Sequence, residues 1–225
     1  MLKLALINIE EFVCKQIDFI YEIASKISKL FNKEFNDDLK EKINKFSLSD
    51  ENIVFYFCKE LSKEWKINKK ELSNSFYKFG SEILSSKQLE LSQDWINAFE
   101  NLKSHEIKFA FISLFEVQNS PFKNYVFSNS NTFECLQINQ DMTEKDITNK
   151  IYNFVSNKIC APSETAILTN RLELFELFNS SEFKFLSSLE DLPKQFAKNK
   201  LVKQISELPN IESWIYKFDD DENLI

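Results

Sequence analysis

Histidine is almost missing from this sequence, and so is glycine: His105 and Gly80 are the only ones in 225 residues. The four cysteines, Cys14, Cys58, Cys135 and Cys160, stand too far apart to form a CxxC pair. Neither a Cys/His zinc site nor a Cys–His or Ser–His nucleophile pair is therefore expected. No apolar run approaches the ~20 residues of a membrane span. The apolar stretch at the N-terminus is brief and ends in acids, which predicts no signal peptide and a reducing, cytoplasmic location. Basic charge is not in excess either. The net charge of −7 argues against a nucleic-acid-binding or anionic-membrane surface, and the lysines alternate with acids as on solvated helix faces.

What is present points to a globular protein. Hydrophobic residues make up 43% and charged residues 28%, in a chain long enough for one α/β domain plus a modest second lobe. The 23 phenylalanines accompany abundant Lys, Asn and Ile, a composition that an AT-rich genome produces without functional meaning.

The stretch "LALINIEEFV" begins as a buried strand over residues 4–9 and stops at polar residues. From Ile17 to about Leu91 the spacing turns helical. Ile20, Ile23, Ile27, Leu30 and Phe31 form one stripe, followed by Leu39, Ile43 and Phe46. Ser49, with Asn52 three residues on, is the expected N-cap of a third helix, and a fourth carries Gly80. Phe55, Tyr56, Phe57, Trp65, Phe76, Tyr77 and Phe79 are expected to form the core of this helical block. A helix with Trp95, Phe99 and Leu102 on one face leads through a turn containing His105, read as a surface residue, into a strand at 107–113.

Three further strand–helix units follow. "ECLQIN" at 134–139 precedes "TEKDITNKIYNFVSNK", "TAILTN" at 165–170 precedes "RLELFELFNS", and "FKFLSS" at 183–188 precedes "LEDLPKQFAKNK". Five strands alternating with helices predict an α/β fold with a parallel, doubly wound sheet. Leu4, Leu6, Ile7, Phe109, Phe111, Ile112, Ala166, Ile167 and Leu168 should then be buried, with helices on both faces. Ligands of such sheets bind beyond the carboxyl ends of the strands, where Asn8, Glu10, Ser113, Thr169 and Asn170 gather. Strand-end Asn, Ser and Thr also serve as turn formers and helix N-caps, so their gathering locates a site without giving it chemistry.

Read together, these segments resemble the haloacid dehalogenase superfamily, in its β-phosphoglucomutase-like branch with an inserted helical cap. "LALINIEEFV" takes the place of the strand and Asp-x-Asp-Gly-Thr motif, and residues 15–91 take the place of the cap. "AFENLKSHEIKFAFIS" is similar to the helix, turn and strand that end in Ser or Thr, here Ser113. "TEKDITNKIYNFVSNKICAPSETAILTN" is similar to the lysine-bearing helix, the "PSE" turn and the acid-bearing strand, with Pro162 seventeen residues after Lys145. The resemblance implies a Rossmann-like core of residues 1–14 and 92–225 and an all-helical cap of 15–91. It further implies phosphoryl transfer: an aspartyl nucleophile, a second aspartate as acid and base, a Ser or Thr and a Lys on the phosphoryl oxygens, and magnesium held by carboxylates.

Carried over position by position, the match fails where charge matters. Asn8 stands at the nucleophile, and an amide cannot form the acyl phosphate. Glu10 stands at the acid/base, one methylene longer than aspartate, and Glu11 and Phe12 replace the glycine and threonine. Thr169 and Asn170 are neutral where acids belong, while Ser113 and Lys145 keep their chemistry. A magnesium site at Asn8, Glu10 and Asn170 is short of two carboxylates, each a charge-assisted contact. The expectation is a catalytically inactive pseudoenzyme with no cofactor, binding a protein partner or small ligand in the crevice between core and cap, and neither nucleic acid nor membrane. The alternatives are a divergent magnesium-dependent phosphatase or phosphotransferase, with Glu10 and Glu173 supplying carboxylates, or a structural role in which the cap docks onto another protein.

Overall fold

A computed structural model describes residues 1–13, 18–45, 53–123, 125, 133–169, 171–178 and 182–186. Its elements run β1 (Leu4–Asn8), α1 (Glu10–Val13), α2 (Asp18–Leu30), α3 (Asp37–Ile43), α4 (Ile53–Trp65), α5 (Lys69–Ser86) and α6 (Gln93–Ser104). They continue with β2 (Lys108–Ser113), β3 (Cys135–Gln137), α7 (Glu144–Asn157), β4 (Thr165–Leu168), α8 (Leu172–Phe178) and β5 (Lys184–Leu186). The "PSE" turn is one 3₁₀ turn, Pro162–Glu164.

The strands form one parallel sheet in the order β3-β2-β1-β4-β5. β1 is central, with Asn8 beside Ile112 and Ile7 beside both Phe111 and Leu168. The near-continuous apolar runs of β1, β2 and β4 predict strands covered on both faces, and all nine expected core residues are buried. The edge strands β3 and β5 are only three residues each, short enough to offer little template for unwanted pairing.

Alternation along the strands separates two cores. Leu4, Leu6, Ala110, Ile112 and Ile167 face Ile147, Ile151 and Val155 of α7 and Leu174 and Phe178 of α8. Ala5, Ile7, Phe109, Phe111, Ala166 and Leu168 face the other way, in a cluster that runs without interruption into α2, α4, α5 and α6. The helical block between β1 and β2 therefore shares its core with one face of the sheet. Caps set its boundaries: Asn36 accepts from Leu39 N at 3.0 Å and Asn68 from Lys70 N at 2.8 Å. Thr143 and Asp146 close a capping box on α7, as the pattern of that segment requires.

Gly80 has a packing role. It lies in α5 opposite Phe115, and a β-carbon built on it would overlap the Phe115 ring. That ring is fully buried against Phe19 at 5.7 Å and Phe76 at 5.6 Å between centroids. The one glycine of the chain thus makes the notch by which the loop after β2 grips the helical block.

Two helical expectations need correction. Leu30, placed on the buried stripe of α2, is 55% exposed. It falls in the last turn, past the end of the contact with α5, where burial no longer follows periodicity. Phe55 and Tyr56 are 53% and 44% exposed, because α4 buries the other stripe, Val54, Phe57, Cys58 and Leu61. Phe57, Trp65 and Phe76 are core as expected, and Tyr77 and Phe79 are half-buried. Cys14, Phe46, Ser49, Asn52 and the helix expected after β5 lie outside the described residues.

Candidate functional site

The carboxyl ends of β1, β2 and β4 converge on a buried polar cluster. Asn8, Glu10 and Ser113 have no exposed surface, and Thr169 and Arg171 are buried with them. Asn8 is the last residue of β1, and its side-chain oxygen accepts from Glu10 N at 3.0 Å, so it initiates α1. This is the local turn chemistry that asparagine favours. Its amide nitrogen donates to Thr169 Oγ1 at 3.1 Å. Both polar ends of the side chain at the nucleophile position are therefore engaged within the protein.

Glu10 is held from β2. Its Oε1 accepts from Ser113 Oγ at 2.7 Å and from Leu114 N at 2.8 Å, while Ser113 Oγ accepts from Phe115 N at 3.0 Å. Its Oε2 is buried without a hydrogen-bond partner. Burial pushes the Glu10 carboxyl up, against the opposing pull of the Arg171 charge, the Ser113 hydroxyl and the Leu114 amide. Phe12, in the place of the motif's threonine, packs on Trp95 at 4.2 Å and on Phe122 at 4.8 Å. The turn after β1 is thus a short helix anchored in an aromatic cluster.

Arg171 completes the cluster, and sequence reasoning passed over it. Its backbone N donates to Thr169 Oγ1 at 3.0 Å, and its Nη1 donates to the carbonyl of Ile138 at 2.7 Å. Ile138 N in turn donates to the Ser113 carbonyl at 2.7 Å. The signal was in the composition: Arg171 is the only arginine among 28 basic residues. A guanidinium is not interchangeable with the ammonium that the rest of this lysine-rich chain uses.

The remaining predicted positions are less tied to this cluster. Lys145 is exposed in the first turn of α7, where its charge acts on its neighbour Asp146. Farther along α7, Lys150 is half-buried within reach of the Glu116 charge, and burial pulls its ammonium down. Asn170 lies outside the described residues, as does the side chain of Glu173, whose backbone belongs to α8. His105 is the exposed C-cap residue of α6.

The residues present do not fit magnesium. The ion takes about six hard oxygens, usually including one or two carboxylates. Asn8 Oδ1 and Glu10 Oε1 are engaged by protein donors, which among the described residues of the cluster leaves the carboxylate oxygen Glu10 Oε2 to spare. Among the described residues, no three His, Cys, Asp or Glu side chains are grouped to hold a metal.

A bridge of hydrogen bonds lies over the crevice. Gln140 N donates to Tyr77 Oη of α5 at 3.1 Å, and Gln140 Oε1 accepts from Val54 N of α4 at 3.2 Å. These bonds tie the loop after β3 to the helical block. Beyond them, toward solvent, opens a groove of about 630 Å³ lined by α4, the start of α5, Gln140 and Asp141.

Neither a family model nor a curated protein sequence matches the chain. Among solved structures it is similar to β-phosphoglucomutase from Clostridium difficile, at 9% identity and a TM-score of 0.48, over 92% of this chain and 100% of that one. It is also similar to the defluorinating L-2-haloacid dehalogenase Rha0230, at 9% identity and a TM-score of 0.42, over 82% of this chain and 80% of that one. Likeness at this level says nothing about chemistry. Among the described residues, no helix is long and apolar enough to cross a membrane.

Proposed function

We propose that this chain is a catalytically silent protein with a haloacid-dehalogenase-like fold, retained as a binding or interaction module after loss of phosphoryl transfer. One observation carries the reading: the side chain at the nucleophile position is a fully buried amide with both polar atoms bonded inside the protein. An amide nitrogen has no electron pair to offer phosphorus at neutral pH, and this one has no open face toward a substrate. No resident cofactor is part of the proposal. A cytoplasmic, reducing location goes with it, in keeping with the free thiols at Cys58, Cys135 and Cys160.

The competing reading is a divergent hydrolase, and Glu10 Oε2 favours it. Burial pushes the Glu10 carboxyl up, the direction that favours the protonated form from which an acid donates to a leaving group. Hydrolysis of p-nitrophenyl phosphate and acetyl phosphate with millimolar magnesium separates the two. The wild type should run at background, and Glu10→Ala should not change that. Asn8→Asp alone should stay at background as well, because Phe12 and the Thr169 bond still shape the turn. Wild-type turnover clearly above background that disappears in Glu10→Ala would overturn the silent reading.

A further inference from the structure

The buried polar groups are linked in a closed circuit. Glu10 N donates to Asn8 Oδ1, Asn8 Nδ2 donates to Thr169 Oγ1, and Thr169 Oγ1 also receives Arg171 N. Arg171 Nη1 donates to the Ile138 carbonyl, Ile138 N to the Ser113 carbonyl, and Ser113 Oγ returns to Glu10 Oε1. Every member of this ring is buried. The strand order explains the path. Arg171 follows β4 and Ile138 follows β3, while β1 and β2 lie between them. The side chain of Arg171 therefore bridges from one flank of the crevice to the other, over the carboxyl ends of the two central strands. Its charge acts on both Glu10 below and Tyr77 of α5 above.

We infer that Arg171 is the resident cation of this crevice, closing the hydrogen-bonded ring across the strand ends and supplying, without a metal, the positive charge that magnesium supplies in the proteins this chain resembles. Charge arithmetic favours the exchange. Two aspartate positions have become Asn8 and Asn170, so a divalent ion beside Glu10 alone would be overcompensated. One guanidinium against one carboxyl is balanced, and its planar fork supplies directed bonds that a solvated ion does not. The bonds to Ile138 and Thr169 hold it there whether or not a ligand is present. The assignment rests on the silent-site reading for its meaning, but its test is independent of turnover.

The test is thermal unfolding of the full chain, in EDTA and in 10 mM magnesium, with a double-mutant cycle on Glu10 and Arg171. Wild-type Tm should be the same in the two buffers, and calorimetric titration should detect no magnesium binding below millimolar concentrations. Arg171→Met should lower Tm on the order of 10 °C, as expected for removing a buried charged group that closes a hydrogen-bonded ring in a chain of this size. Glu10→Gln in that background should restore a good part of the loss, because the uncompensated carboxyl is then gone. Where Arg171→Met does not fold, Arg171→Lys with and without Glu10→Gln gives the same coupling at smaller amplitude. Strictly additive effects at the two positions would overturn the assignment, and so would a magnesium-dependent rise in wild-type Tm. Turnover without any magnesium response would overturn the silent reading while supporting Arg171 as the cation.

Discussion

Two polar regions of this molecule lie on either side of the Gln140 bridge, and they are built on opposite plans. At the strand ends, Asn8, Glu10, Ser113, Thr169 and Arg171 are buried and bonded to one another. In the groove outside, Lys69, Lys70 and Asp141 are exposed, with Lys69 Nζ 5.4 Å from the centre of the Phe55 ring. Among the described lining side chains, Ser73 Oγ makes a loose contact to Asp141 Oδ2 at 3.4 Å. The difference follows from solvation. A polar group taken out of water costs several kcal/mol unless a partner replaces the water, so a buried cluster bonds mostly to itself, here with Glu10 Oε2 left over. A phosphoryl-transfer site is deliberately incomplete, since its open valences are what hold metal and substrate. On the reading proposed above, closing the ring and silencing the chemistry are one change.

The largest effect in this comparison comes from Gly80, against which the ring that follows Ser113 and Leu114 is buried. In an exposed helix Gly→Ala stabilises by about 1 kcal/mol. Here the added methyl would overlap the Phe115 ring, and overpacking of that kind costs about 1–3 kcal/mol. With the overlap this close the cost lies at the top of that range, so Gly80→Ala should destabilise by about 2 kcal/mol net in urea unfolding, the reverse of the propensity expectation. Pairing it with Phe115→Leu should recover part of that loss. A stabilised Gly80→Ala would mean that the Phe115 ring does not pack against Gly80.

Next in size is Ser113→Ala. Glu10 Oε1 would keep only the Leu114 amide, and Phe115 N would lose its acceptor. Stripping one partner from a buried polar group costs about 1–3 kcal/mol, and a loss near 2 kcal/mol is expected. A change within experimental error would show that water already reaches the ring.

Most of the fold was legible in the sequence, because burial on both faces leaves a periodic mark. The apolar runs at 4–9, 107–113 and 165–170 had one interpretation once helices were seen between them, and their order placed Asn8, Glu10 and Ser113 together. Arg171 left no such mark. Its importance depends on reaching from the end of β4 to a carbonyl beyond β3, a contact between segments 33 residues apart that no local pattern encodes. Phe55 and Tyr56 misled for a related reason. In a helix rich in aromatics, composition does not say which stripe meets the sheet, and α5 decided it.

On the groove side the informative group is Cys58, which lines the groove yet is buried. Burial, helped by the Asp141 charge, pushes its thiol up to about 12. The sign is that of a group held neutral: the thiolate, which is the reactive form, is suppressed below that pH. Iodoacetamide at pH 8 followed by peptide mass spectrometry should leave Cys58 unmodified in the folded protein and alkylate it in urea. Rapid labelling of Cys58 under native conditions would show that the groove opens far deeper than its walls suggest.

The smallest effect belongs to Lys70, and its direction is the test. The residue is exposed in the first turn of α5, where its backbone N–H is taken by the Asn68 cap at 2.8 Å whatever the side chain. A positive charge at a helix N-terminus opposes the macrodipole by a few tenths of a kcal/mol. Alanine removes that repulsion and has the better helix propensity. Lys70→Ala should therefore be neutral or stabilising by about 0.3 kcal/mol, most visible at low salt, whereas Asn68→Ala should cost about 1 kcal/mol through the lost cap. A loss above about 1 kcal/mol for Lys70→Ala would place that ammonium in a bonded network of its own. The groove would then be a second completed cluster, and the contrast between the two regions would collapse.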